Sequence, residues 1–241
     1  PSSCPPTASA TASSWLRSRR DTGGRIVRDP ALARARSVLA YQCGRALAAI
    51  HSIPVAALPP LREAAAAEEV QNYLARHRAG GSAKPVFEVA FQWMQRNLPP
   101  PPARKVLVHG DFRNGNLMVG EDGLRAVLDW ELAHLGDPME DLGWLCVNSW
   151  RFGQTSLPVG GFGTREDLFA GYASGGGMVD AARVHFWEVF GSLKWVIGCE
   201  SMAQAPAGGA PRTVERAAIG RRSSETEIDL LNLLAPCRGA R

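Results

Sequence analysis

At 241 residues, 45% hydrophobic and 21% charged, the chain is long enough for one globular domain, or two small ones, around a real core. Its net charge of +4 comes from arginine, with 24 Arg (27 basic residues less Lys84, Lys105 and Lys194). Lacking a dense basic run interleaved with aromatics, it is not expected to bind nucleic acid, and no apolar run of about 18 residues or apolar N-terminal segment predicts a membrane span or a secretory signal. The five cysteines (Cys4, Cys43, Cys146, Cys199 and Cys237) are scattered, with no C-x-x-C. Free thiols, a cytoplasmic location and no zinc site are expected, with Cys43, Cys146 and Cys199 in the core.

In chain order, residues 1–24 are rich in Ser, Thr, Ala and Pro without hydrophobic period and read as a disordered or non-native leader. Asp29-Pro30 opens a helix, with Asp as N-cap and Pro at the first helical position; Ala33, Val38, Leu39, Cys43, Leu47 and Ile50 carry its apolar spacing to about His51. A second helix is predicted over Leu61–His77 and a third over Val86–Asn97, separated by Gly80-Gly81-Ser82. Pro99–Pro102 then forces an extended connection. Short apolar runs at Lys105–Val108, Leu117–Val119 and Leu124–Leu128 suit buried strands, the last two joined by the hairpin turn Gly120-Glu121-Asp122-Gly123. Helices resume over Arg165–Tyr172, Asp180–Gln204 and Thr213–Leu234, and residues 236–241 form a tail. The fold class expected is α+β, mostly helical, with one small β element.

Function is concentrated in that β element. From His109 to Asp141 there are eight Asp/Glu and two Arg, a net charge of −6 in a basic protein. Charge alone favours an acidic surface loop over a divalent-metal site; the spacing of the residues favours the metal site. Asp111 and Asn116 lie on a glycine-containing loop between two strands, and the hairpin brings Asp129 back beside its start. Asn116 and Asp129 then face one magnesium ion, which takes one or two carboxylates plus phosphate oxygens and water. Asp111 is left to accept a proton from an attacking hydroxyl. A metal-dependent hydrolase would show more clustered His and Asp ligands.

The string His109-Gly110-Asp111, then Asn116, then Asp129 at a strand end resembles the catalytic core of the aminoglycoside phosphotransferase family, which shares the protein-kinase fold. The fuller segments HGDFRNGNLMV and LDWELAHLGDPMEDLGWL are similar to the phosphotransferase segment fused to acyl-CoA dehydrogenases, and the resemblance covers about residues 25–235. It implies ATP and Mg2+ as cofactors and a small-molecule hydroxyl acceptor. Asp111 would be the catalytic base, with His109 bracing its loop. Asn116 and Asp129 would bind metal, and Asn116 would also help hold the nucleotide. Arg113 would contact phosphate or pair with a local acid. Asp141 would be an N-cap or loop anchor, Glu131 and His134 would support the site from behind or, as favoured, lie on the surface, and Trp130 would pack beneath the loop. The resemblance also implies an N-terminal β lobe with a glycine-rich loop and a lysine. No lysine precedes Lys84, and residues 25–235 are expected to form the C-terminal lobe alone. Two readings stand: a phosphotransferase incomplete in this chain, or a catalytically inactive, truncated kinase-like binding module.

Overall fold

The computed structural model describes residues 23–80, 84–204 and 223–235. Within the span expected as a leader, Gly23 and Gly24 begin a short helix, α1 (Gly23–Arg28), and the remainder lies outside the described residues. Asp29 caps as expected: its carboxylate accepts the Ala31 N–H at 2.9 Å. The first turn, Pro30–Leu32, is a 3-10 helix, and α2 (Ala33–His51) follows.

The second helix is a correction. It spans Ala66–Ala79 (α3), because Arg62–Ala64 runs extended beside a strand: Leu135 N–H donates to Arg62 O and Ala64 N–H to Leu135 O, both at 2.9 Å. Glu69 is buried and paired with Arg62 at 2.8 Å. The third helix is α4 (Pro85–Arg96). The remaining helices are α5 (Met139–Cys146), α6 (Arg165–Ser174), α7 (Ala181–Gln204) and α8 (Ser223–Leu234). Residues 213–222, expected to open the last helix, lie outside the described residues.

Among the described residues the β structure comprises two antiparallel pairs. β2 (Leu117–Gly120) and β3 (Gly123–Val127) form the expected hairpin, with a bulge between Met118 and Val119. β1 (Val106–Val108) does not join it. It pairs with a strand the sequence reading did not include, β4 (His134–Gly136), in the register Val106↔Gly136, Leu107↔Leu135, Val108↔His134. The catalytic-type loop therefore leaves β1 and enters β2, and the chain returns from β3 to β4 through Asp129.

Glycine sets how closely the helices approach. A Cβ on Gly44 of α2 would stand 2.1 Å from Leu168 O, and one on Gly171 of α6 would stand 2.0 Å from Tyr41 O. Bare backbones thus lock α2 to α6. Likewise a Cβ on Gly143 would meet the Trp187 side chain at 2.7 Å, seating α5 on α7. Around these contacts Leu39, Leu47, Phe87, Phe91, Phe112, Leu142, Trp187 and Phe190 build the main core. Each such side chain contributes about 1.5–3 kcal/mol on full burial. Cys43, Cys146 and Cys199 are buried free thiols, as expected. No helix among the described residues is long and apolar enough to cross a membrane.

Candidate active site

The loop from His109 to Asn116 is held by its backbone and by its side chains. Asp141, in the first turn of α5, is buried and accepts the N–H groups of His109 at 2.8 Å and Gly110 at 2.9 Å. Burial alone would push its carboxyl up; the hydrogen bond and charge of His51, with the His109 interactions, outweigh that and hold it below the usual carboxylate value. His51 Nε2 lies 3.1 Å from Asp141 and His51 Nδ1 2.9 Å from the Tyr172 hydroxyl. Burial pushes that hydroxyl up to about 12. The Asp141 carboxylate only accepts, so an N–H on His51 Nε2 points to it. Asp141 is a loop anchor, one of the two roles the resemblance implied.

His109 is fully buried and braces the loop in the expected sense. Its Nδ1 accepts the Asp111 N–H at 3.2 Å, so its Nε2 donates to Leu128 O at 3.0 Å. One imidazole thereby ties the residue before the loop turn to the residue before Asp129. Gly110 makes the turn at φ +78°, where a Cβ would stand 2.6 Å from Leu132 O.

Asp111 receives donors from three residues. Trp144 Nε1 donates to Oδ1 at 3.0 Å, Asn116 Nδ2 to Oδ2 at 2.7 Å, and Arg113 Nε lies 3.0 Å from Oδ1 and 3.2 Å from Oδ2. Asn116 Nδ2 also donates to Asp111 O at 2.9 Å. Arg113 takes the local-acid alternative here, and its guanidinium lies 4.9 Å from the Trp150 ring centre. Asn114 is buried beside them and donates to Trp150 O and Gly160 O, binding the loop to the 147–163 segment.

Asn116 and Asp129 come together through the backbone, as the hairpin predicted: Leu128 N–H donates to Asn116 O at 2.8 Å. Among the described residues neither Asn116 Oδ1 nor the Asp129 carboxylate has a hydrogen-bond or ion-pair partner. Asp129 stands at φ +68°, a left-handed conformation that costs about 1–2 kcal/mol in a non-glycine residue and gathers at functional sites. Two free oxygens, one amide and one carboxylate, with backbone strain at the second, fit the donor set of a hard cation that also takes phosphate oxygens. No group of three or more His, Cys, Asp or Glu among the described residues is placed to hold a metal alone, and a magnesium ion sharing phosphate oxygens does not require one.

Two placements differ from expectation. His134 is buried, not on the surface; its Nε2 meets Glu140 at 3.2 Å. Trp130 packs on the loop, its ring centre 4.5 Å from that of His109, but it is 39% exposed. Glu131 is exposed as expected. Trp144 and Lys194 were missed as site residues. Lys194 Nζ donates to Gly110 O at 3.0 Å, lies 3.6 Å from Glu140, and sits 4.9 Å from the Trp144 ring centre. The available signal was spacing: Trp144 follows Asp141 by three residues, on the same helix face.

Comparison with known proteins agrees with this geometry. Residues 17–177 match the model of the phosphotransferase enzyme family, APH. Human acyl-CoA dehydrogenase family member 11 is 26% identical over 233 residues, covering 88% of this chain and 28% of that protein. The chain spans 8–28% of the length of the curated relatives it matches. Among solved structures, a Ralstonia eutropha protein assigned as an aminoglycoside phosphotransferase superposes with a TM-score of 0.66 at 20% identity, over 85% of this chain and 67% of that one. The AMP-bound complex of spectinomycin phosphotransferase gives a TM-score of 0.59 at 14% identity, over 90% and 70%. With more than half its length matched and a kinase-like phosphotransferase fold around the loop, the chain belongs to the APH phosphotransferase enzyme family.

Proposed function

We propose that this chain carries the catalytic half of an ATP- and Mg2+-dependent phosphotransferase acting on a hydroxyl of a small molecule. The observation that carries the reading is the juxtaposition at Asp111: a carboxylate gripped by Trp144, Asn116 and Arg113, on a loop whose end is bonded to the residue before Asp129. Asp111 accepts the proton of the acceptor hydroxyl as its oxygen forms a bond to the γ-phosphorus. The bond from that phosphorus to the β,γ-bridging oxygen breaks, leaving a phosphoester and ADP. Asn116 and Asp129 would hold magnesium, which when bound neutralises phosphate charge. His109 keeps the two halves of the site in register, and Arg113 would contact a phosphate oxygen if it left Asp111. Nucleotide use is supported by the AMP-bound structural neighbour, and the acyl-CoA dehydrogenase relatives favour a hydroxyl-bearing metabolite, acyl-CoA-linked, as acceptor.

The test is a screen of hydroxy-acyl thioesters, sugars and amino alcohols with Mg·[γ-32P]ATP, using the wild-type chain and Asp111→Ala. Label transfer that falls at least 100-fold in the variant is expected. Transfer that persists in Asp111→Ala would assign the base elsewhere. Absence of transfer to every acceptor class by a folded chain would count against the reading.

A further inference from the structure

Asp111 is positioned by the helix that anchors its backbone, and the residue responsible is Trp144. Helix α5 presents Asp141 and Trp144 three residues apart, on one face. Asp141 takes the N–H groups of His109 and Gly110, and Trp144 takes the side chain of the next residue, Asp111. One rigid element thus fixes three consecutive residues. Lys194 closes the opposite side by bonding Gly110 O while its ammonium lies against the Trp144 ring. Trp144 is itself held in a small aromatic cluster, with its ring centre 5.2 Å from that of Trp150, which lies 4.7 Å from Trp195.

The identity of the donor matters. Arg113 bonds both Asp111 oxygens, but its side chain is 29% exposed. Trp144 is buried. Its indole is a donor only, so it cannot compete for the proton that Asp111 receives, and it adds no charge to the carboxylate. Asn116 then holds Oδ2 while Trp144 holds Oδ1.

We propose that Trp144 is the positioning residue of this site: its indole N–H fixes the Asp111 carboxylate during turnover. This rests on the reading of Asp111 as the base. The test uses the full chain labelled with [15N]Trp. The Trp144 indole N–H signal, assigned as the one lost in Trp144→Phe, is expected to exchange slowly with solvent and to move in Asp111→Asn. In parallel, Mg·ATP turnover with water as acceptor is expected to fall about tenfold in kcat in Trp144→Phe with KM for ATP unchanged, the scale of one hydrogen bond to a charged group. Trp144→His, which retains a ring N–H, is expected to recover part of that loss. An indole signal indifferent to Asp111→Asn would overturn the proposal. So would an unchanged kcat in a folded Trp144→Phe. A wild-type chain without turnover would instead contradict the phosphotransfer reading, and the indole signal would still decide whether Trp144 holds Asp111.

Discussion

Replacing Asp141 with alanine removes the acceptor of three buried or loop-bound donors at once: the N–H groups of His109 and Gly110 and Nε2 of His51. Nothing else among the described residues accepts either backbone N–H. Each buried donor left unsatisfied costs about 1–3 kcal/mol. Partial relaxation of the loop and loss of the carboxylate's own desolvation cost bring the expected total to about 4 kcal/mol. That is a large share of the roughly 5–15 kcal/mol typical of a native domain. In urea, with a slope near 2 kcal/mol/M, the midpoint is expected to fall by about 2 M at unchanged slope. Asp141→Asn retains one carbonyl oxygen and is expected to lose about half as much. A loss below about 1 kcal/mol in Asp141→Ala, at unchanged slope, would refute the claim that this carboxylate anchors the loop.

Other consequences follow from the same geometry. Gly110→Ala meets both a left-handed φ and the Leu132 carbonyl, so a stability loss of more than about 1 kcal/mol is expected by thermal unfolding, together with loss of any activity. Burial depresses His134, but the hydrogen bond and charge of Glu140 outweigh it and raise His134 above its ordinary value. A raised folded value means that the stability from this pair is full below the unfolded histidine value of about 6.5 and is lost as pH rises through the folded one. Urea midpoints measured from pH 5 to 9 should fall across that window, and Glu140→Gln should flatten the fall. A wild-type midpoint that does not change over this range would contradict the pairing.

The hairpin and the loop were legible in sequence because both are local. Gly120-Glu121-Asp122-Gly123 carries its own turn chemistry, and His109, Asp111 and Asn116 share one short segment. The approach of Asp129 to Asn116 followed from hairpin length alone, and the Leu128–Asn116 bond supplies it. What was not legible depends on distant partners. Helix α5 is eight residues long and buried on every side, so it shows no 3.6-residue alternation. β4 has three residues and reads as strand only once β1 lies beside it. The late start of α3 reflects Arg62–Ala64 bonding to Leu135, a contact that no local pattern encodes. For the same reason Trp144 and Lys194 stand out as site residues only once α5 and α7 are packed on the loop.

The central claim, that Asn116 and Asp129 form a metal-dependent nucleotide site with Asp111, is tested most directly by calorimetric titration of the chain with ATP, with and without Mg2+, against Asp129→Asn. The account predicts heat of binding that requires magnesium and disappears in the folded variant. Binding of equal strength without magnesium, or binding unchanged in Asp129→Asn, would contradict it.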